Sequence, residues 1–204
     1  MADTYRVLVE GKDDKHVFHQ LLAYHQVAPL EIKDKDGIDN LLDTLDVELE
    51  ASRLERLGVV VDADADLASR WQALRNILIR SGYSNVPDDP DPDGTIIQQE
   101  GRPTVGIWIM PDNKLAGILE GFVLSLIHSN DTLIHHAENC LQQIPERERR
   151  FPLERWDKAH IHTWLAWQEE PGKPLGQAIV ARYLDAGAPE ALRFVNWVRR
   201  LFDI

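Results

Sequence analysis

Segments with the pattern of β-strands alternate with segments of helical pattern through residues 1–127, and this alternation limits the folds open to the chain. Short apolar runs at Tyr5–Val9 and Gly58–Val61 are typical of buried strands, and helical spacing of apolar residues follows each of them. Parallel strands joined by helices form a sheet that helices cover on both faces. We therefore predict an α/β fold with a mainly parallel sheet flanked by helices.

The remaining elements divide the chain into two parts. Further strands are predicted at 30–33, 95–99 and 105–110, the last two as a hairpin or as separate strands, and helices at 13–25, 38–49, 67–82 and 118–127. From Asp131 onward only helical patterns occur, at 131–144, 156–168, 174–184 and 189–202. We predict an α/β domain over 1–127 and a helical C-terminal extension over 128–204, which packs on that domain and is not independent of it.

Composition narrows the classes of protein that fit. With 204 residues, 44% hydrophobic and 27% charged, the chain is typical of a soluble globular protein of one domain. A single cysteine, Cys140, excludes a disulfide framework and a cysteine-based zinc cluster. The sequence has no apolar run of membrane-spanning length and no signal-peptide pattern at its start, so we expect a cytoplasmic protein without a membrane partner.

Acidic residues follow two of the predicted strands. Glu10 comes directly after the first strand, and Asp62 and Asp64 come after the strand at Gly58–Val61. Ligands of parallel α/β sheets bind beyond the carboxyl ends of the strands, and residues two apart in an extended chain point to one side. Three close carboxylates repel one another, so a divalent cation with oxygen ligands is predicted there. Asp66 is better placed as a helix N-cap, which is also the commoner role of any single acid after a strand.

The segments "VLVEGKDD" and "VVVDADAD" resemble the Toprim domain of topoisomerases, bacterial-type primases, recombination-repair proteins and overcoming-lysogenization-defect nucleases. The likeness covers residues 5–127. "IWIMPDNKLAGILEGFV" is similar to a later segment of nuclease-like Toprim members, and "KAHIHTWLAWQEEPGKPLGQAI" resembles an uncharacterised family of small stand-alone Toprim-like proteins. The resemblance implies Mg²⁺ or Mn²⁺ held by Asp62 and Asp64 for phosphoryl transfer, with Glu10 as a metal ligand or general acid/base.

Three further site residues are implied by the same resemblance. Asp112 and Glu120 would complete a second metal site, with the two ions roughly 4 Å apart as suits in-line cleavage of a phosphodiester. Lys158 would stabilise the charge that develops on the phosphate. The alternative interpretations are a solvated helix acid for Glu120 and an exposed helix lysine for Lys158.

Basic residues are sparse in this acidic protein. The net charge of -12 counts against a large, sequence-independent nucleic-acid surface, although it leaves room for a local basic groove. Arg147–Arg150 and Arg199–Arg200 are the basic concentrations and the best candidates for phosphate contact, with a solvated face as the alternative. Tryptophans in the C-terminal helices are interpreted first as core residues and second as platforms for base stacking.

The sequence lacks the apparatus that usually accompanies a Toprim domain. No active-site tyrosine on a partner domain is evident, one cysteine cannot build a primase zinc module, and no P-loop pattern occurs. The leading hypothesis is a metal-dependent nuclease. The alternatives are a hydrolase of a nucleotide or other small phosphate, and a non-catalytic metal-binding module that acts with a partner ATPase or a DNA-binding protein. The oligomeric state is left open.

Overall fold

A computed structural model describes residues 4–204 and contains one five-stranded sheet in the order β2-β1-β3-β5-β4. The strands are β1 (Tyr5–Val9), β2 (Glu31–Asp34), β3 (Arg56–Asp62), β4 (Thr95–Ile97) and β5 (Thr104–Met110). The pairs β1–β2, β1–β3 and β3–β5 are parallel, and only the edge strand β4 is antiparallel to its neighbour. The predicted α/β fold with a mainly parallel sheet is confirmed.

Helices connect the strands and make up the C-terminal part. They are α1 (Lys12–Tyr24), α2 (Ile38–Leu49), α3 (Leu67–Arg80), α4 (Leu119–Leu124), α5 (Leu133–Gln142), α6 (Trp156–Leu165), α7 (Leu175–Val180) and α8 (Pro189–Phe202). Helix α4 ends at Leu124, three residues earlier than predicted. Ile127, which was predicted to be helical, instead forms an isolated β-bridge with Leu184. Within residues 4–204 no helix is long and apolar enough to cross a membrane.

The sheet has a separate hydrophobic core on each face. Strand residues alternate between the two cores: Val59 and Val61 of β3 pack with α2 and α3, whereas Val60 packs with α1, α7 and α8. This alternation follows from the two-residue period of a strand. Because both faces are covered, the strands read in the sequence as continuous apolar runs.

The C-terminal helices share the core of the sheet. Phe194 of α8 stacks on Phe18 of α1 with ring centroids 4.6 Å apart, and Trp108 of β5 contacts Trp197 of α8 at 5.7 Å. All four side chains are fully buried. The predicted packing of the extension on the α/β domain is confirmed, and Trp197 is a core residue.

Four parallel strands, β1, β2, β3 and β5, bring their carboxyl ends to the same edge of the sheet. In the register of β1 and β3, Val9 pairs with Val60, so Glu10 and Asp62 leave the sheet side by side. Asp62 is itself paired with Met110 at the end of β5. The predicted exit of Glu10 and Asp62 at one edge is therefore confirmed, and this edge carries the candidate site.

Candidate metal centre

A cavity of about 650 Å³ lies at this edge and is acidic on its sheet side. Glu10 follows β1, Asp62 ends β3, and Glu120 is the second residue of α4. Four carboxylates from three segments line this side of the cavity: Glu10, Asp62, Asp64 and Glu120. Strand ends and one helix N-terminus, all fixed by the core, therefore bring several carboxyl groups to one space.

Backbone amides hold two of these carboxylates in place. Glu10 Oε1 accepts a hydrogen bond of 2.7 Å from the backbone N–H of Asp62, which ties the end of β1 to the end of β3. Asp62 Oδ1 accepts one of 2.8 Å from the backbone N–H of Leu119, the first residue of α4. Asp62 thereby fixes the start of the helix that carries Glu120.

Asp64 reaches the cavity by a route that differs from the sequence argument. Its backbone is left-handed, with φ 54°, so the extended alternation assumed for residues 62–64 does not continue to this position. Aspartate tolerates this conformation better than most residues. The turn is held by two backbone hydrogen bonds of 2.8 Å with Gly117, and the Asp64 carboxylate pairs with Arg70 at 2.6 Å.

Asp66 is a helix cap, as predicted. Its side chain accepts hydrogen bonds from the backbone N–H groups of Ala68 at 3.0 Å and Ser69 at 3.2 Å, at the start of α3. It does not line the cavity that contains Asp62 and Asp64. Of the three aspartates of "DADAD", Asp62 and Asp64 thus line the cavity, and Asp66 caps α3.

Asp14 is a buried acid beside the cavity that the sequence analysis missed, and it lines an adjoining pocket together with Glu10, Asp62 and Glu120. It lies in the first turn of α1, is only 8% exposed, and accepts a 3.2 Å hydrogen bond from the Gly11 N–H through Oδ2. Its Oδ1 is buried and has no hydrogen-bond partner in the described part of the chain. The signal was available, because Asp14 stands three and four residues before Val17 and Phe18 and so shares their buried helix face.

Burial and mutual repulsion shift the titration of this cluster. Burial, followed by the charges of Asp14, Glu10 and Glu120, raises the pKa of Asp62 to about 9. Burial and the charge of Glu10 raise the pKa of Asp14 to about 7. Burial also raises the pKa of Glu10, against the lowering effect of its hydrogen bond from Asp62. The carboxylates are therefore close enough to disfavour one another's ionisation.

The opposite side of the cavity carries cations. Lys158 of α6 pairs with Glu120 at 2.7 Å, and Arg155, which immediately precedes α6, also lines the cavity. Glu154 is the one acid on this side among the lining residues. Because α6 belongs to the C-terminal extension, the extension completes the cavity that the sheet begins.

Asp112 does not join the other predicted residues. Its Oδ1 accepts the backbone N–H groups of Lys114 at 3.0 Å and Leu115 at 2.9 Å, so the side chain closes its own turn. The structure does not place it among the lining residues. The predicted residues that it does bring together are Glu10, Asp62, Asp64, Glu120 and Lys158.

Comparison with known proteins assigns the chain to a family. The model of a family described as "Protein of unknown function (DUF3226)" matches residues 4–203. The chain belongs to the DUF3226 family. No curated protein and no solved structure matches it. The DUF3226 match includes α5 to α8 as well as the sheet, so the helices that close the cavity belong to the same family unit as the carboxylates.

The candidate site of this DUF3226 protein offers oxygen atoms, the ligands that hard divalent cations prefer. No three His, Cys, Asp or Glu side chains of residues 4–204 are arranged to hold a metal as they stand. Each of the predicted carboxylates instead contacts a backbone amide, as Glu10 and Asp62 do, or a cation, as Asp64 and Glu120 do. The cluster nevertheless supplies carboxylate oxygens, among them the unpartnered Asp14 Oδ1, and these are the ligands that Mg²⁺ and Mn²⁺ prefer.

Proposed function

We propose that the protein is a Toprim-type phosphodiesterase that uses Mg²⁺ or Mn²⁺ to cleave phosphodiester bonds of nucleic acid. The observation that carries the proposal is the cavity with carboxylates on the sheet side and Lys158 and Arg155 on the α6 side. Carboxylates alone repel a phosphate, whereas a phosphate between bound metal and these two side chains is attracted from both sides. The likeness of the Glu10 and Asp62–Asp64 segments to Toprim proteins supports the same chemistry.

Five carboxylates are proposed as the metal-holding set: Glu10, Asp14, Asp62, Asp64 and Glu120. A cation bound there would neutralise phosphate charge and lower the pKa of a bound water. The hydrogen bonds from Asp62 to Glu10 and from Leu119 to Asp62 keep two of the carboxylates oriented before any ligand arrives. Such preorganisation reduces the cost of assembling the site.

Lys158 and Glu10 have proposed roles beyond metal binding. The Lys158 ammonium group would exchange its contact with Glu120 for a non-bridging phosphate oxygen, where it stabilises developing negative charge. Burial raises the pKa of Glu10, which brings this carboxyl closer to the range in which proton transfer at neutral pH is efficient. Glu10 is therefore proposed either as a metal ligand or as the general acid or base, because a cation bound to it would lower its pKa again.

A small phosphate is the second candidate substrate. The cavity of about 650 Å³ is within the range of small-ligand sites, which is roughly 300–1,000 Å³. A net charge of -12 also disfavours long polyanions more than it disfavours a single nucleotide. Parallel assays on single-stranded DNA, duplex DNA, RNA, nucleotides and bis(p-nitrophenyl) phosphate separate the two substrates.

The pair Asp64→Asn and Asp66→Asn tests the proposed chemistry. Asp64→Asn removes a proposed metal ligand, and we expect it to lower phosphodiesterase activity with Mg²⁺ or Mn²⁺ by at least about 100-fold. Asp66→Asn is the matched control, because asparagine also caps helices and Asp66 lies outside the cavity. It should retain near wild-type activity. Full turnover by Asp64→Asn, or equal loss in both variants, would contradict the assignment.

A further inference from the structure

A second depression of about 350 Å³ adjoins the carboxylate cavity on its α6 side. The two spaces meet at Arg155 and Lys158, which line both of them. Beyond them the second depression is lined by Arg150, Phe151 and His162, and among its lining residues there is no acidic side chain. The acidic wall of the first cavity is therefore followed by a basic surface.

Helix α6 and the segment before it arrange these groups in a row. Lys158 and His162 are four residues apart and share a helix face. Arg155 lies one turn before Lys158, so the row from Arg155 to His162 extends about 10 Å along the axis. Arg150 adds a cation from the segment that precedes α6. A row of this length is longer than one phosphate group and suits successive phosphates of a nucleic acid strand.

Two of the cations carry unneutralised charge. Neither Arg150 nor Arg155 forms an ion pair with any residue from 4 to 204, and both are exposed. The nearby Arg147 and Arg149 differ, since they contact Glu148 at 3.5 Å and Glu146 at 4.0 Å. Of these four arginines, the two without an ion pair are the two that line the depression.

An aromatic side chain lies among these cations. Phe151 is half-buried, lines the depression, and packs near Trp156 with ring centroids 6.1 Å apart. Proteins that bind single-stranded nucleic acid combine basic grooves with aromatic rings on which bases stack. A protein that contacts about 6–10 phosphates of a duplex needs a longer row of cations than this one. The depression offers three cations and one histidine.

We propose that the depression is a second phosphate subsite, which binds the phosphodiester next to the one at the carboxylates and selects single-stranded nucleic acid as the substrate. The inference rests on the proposed phosphodiesterase function and names its substrate class. It favours a strand over a small phosphate, because a mononucleotide fills only the first cavity whereas a strand contacts both spaces.

Fluorescence anisotropy with a fluorescein-labelled oligothymidylate tests this subsite through binding, with EDTA present and no turnover. We expect Arg150→Ala to weaken the oligothymidylate affinity by about tenfold, the usual scale for one charge-assisted contact. The slope of log K against log salt should fall by about 0.7, as for one lost phosphate contact of a single strand. Arg147→Ala is the matched control, because it removes an equal charge from an exposed residue outside the depression.

The outcomes separate this inference from the function on which it rests. Equal weakening by Arg150→Ala and Arg147→Ala would overturn the subsite, because it would show only the effect of net charge. Competition by duplex DNA or by thymidine 5′-monophosphate as strong as that of unlabelled oligothymidylate would overturn the substrate class. Calorimetry with Mn²⁺ alone tests metal binding by the carboxylates. If Mn²⁺ does not bind but the oligothymidylate still binds in a way that depends on Arg150, the phosphodiesterase proposal is overturned and the strand-binding surface stands.

Discussion

Asp62 and Glu48 are buried or nearly buried carboxylates with opposite surroundings. Glu48 of α2 receives Arg6 at 2.6 Å, Lys33 at 2.6 Å and Lys35 at 3.0 Å. Burial alone would raise its pKa, but hydrogen bonds from these three cations lower the pKa to about 2. Asp62 lies among other carboxylates, and its pKa is raised to about 9. Glu48 therefore has the surroundings of a structural acid, whereas the strongly perturbed Asp62 is a candidate functional group.

Asp62→Asn should stabilise the metal-free protein at neutral and alkaline pH. The pKa of Asp62 rises from 3.8 to about 9 on folding, so the stability from its bound proton is full below the unfolded pKa and is lost as pH rises toward 9. Asparagine avoids this loss and can still accept the Leu119 N–H. We expect a gain of about 1–3 kcal/mol, the scale of an uncompensated buried polar group.

Urea unfolding in EDTA measures this effect. The difference between Asp62→Asn and wild type should be small at about pH 4 and grow toward about pH 8. Over this range Asp62 ionises in the unfolded wild type, whereas the folded state keeps its proton up to about pH 9. A variant that is less stable than wild type at the higher pH, or a difference that does not change with pH, would show that Asp62 is not strained by its neighbours.

At the scale of elements, two glycines allow α8 to approach the sheet. Gly58 of β3 and Gly106 of β5 are paired across the strands, and both lie against Leu201 of α8. A Cβ at Gly106 would stand 2.5 Å from Leu201 Cδ2, and a Cβ at Gly58 would stand 3.4 Å from it. The missing side chains form the space that the fully buried Leu201 fills.

Gly106→Ala should therefore destabilise the fold by about 1–3 kcal/mol through overpacking, and Leu201→Ala by about 2–5 kcal/mol through a cavity. The double variant is the control, because without the Leu201 methyl groups the added Cβ has room. We expect it to be more stable than the sum of the single costs. Chemical unfolding of all four proteins provides the comparison, and strict additivity would show that Gly106 and Leu201 do not meet as described.

At the scale of the whole molecule, the periodicity of apolar residues was enough to predict the sheet and its covering helices. The arrangement of the candidate site depends on tertiary packing as well. Apolar runs and helical spacing correctly predicted the five strands and the flanking helices. The geometry of parallel sheets predicted that Glu10 and Asp62 leave the sheet at one edge, and the pairing of β1 with β3 in the structure places them side by side. The Asp66 cap was also predictable, since capping depends on local sequence. These features need only information within a few residues or the general geometry of α/β sheets.

Other site features depend on contacts between distant segments. Lys158 and Glu120 meet only because α6 packs beside α4, and no local pattern determines that approach. Asp112 was predicted as a metal ligand by resemblance, but its carboxylate accepts hydrogen bonds from two backbone N–H groups of its own turn. Asp14 was overlooked because an acid near a helix start is usually a solvated cap residue, whereas here the helix register turns it inward.

The C-terminal extension contributes to both the fold and the site. It supplies α8 to the core and α6 to the basic side of the cavity, and the family match from 4 to 203 includes both helices. The basic side of the cavity therefore depends on the packing of residues far from the carboxylates along the chain. This dependence explains why neither half of the sequence would define the site alone.

Calorimetric titration of the full chain with Mn²⁺ tests the proposed metal centre most directly. We expect saturable binding by the wild type and at least about tenfold weaker binding by Asp62→Asn, because the variant lacks a charged oxygen ligand at the centre of the cluster. Asp66→Asn, outside the cavity, should bind Mn²⁺ as the wild type does. Absence of binding heat in the wild type, or equal affinity in Asp62→Asn, would contradict a metal centre at this edge of the sheet.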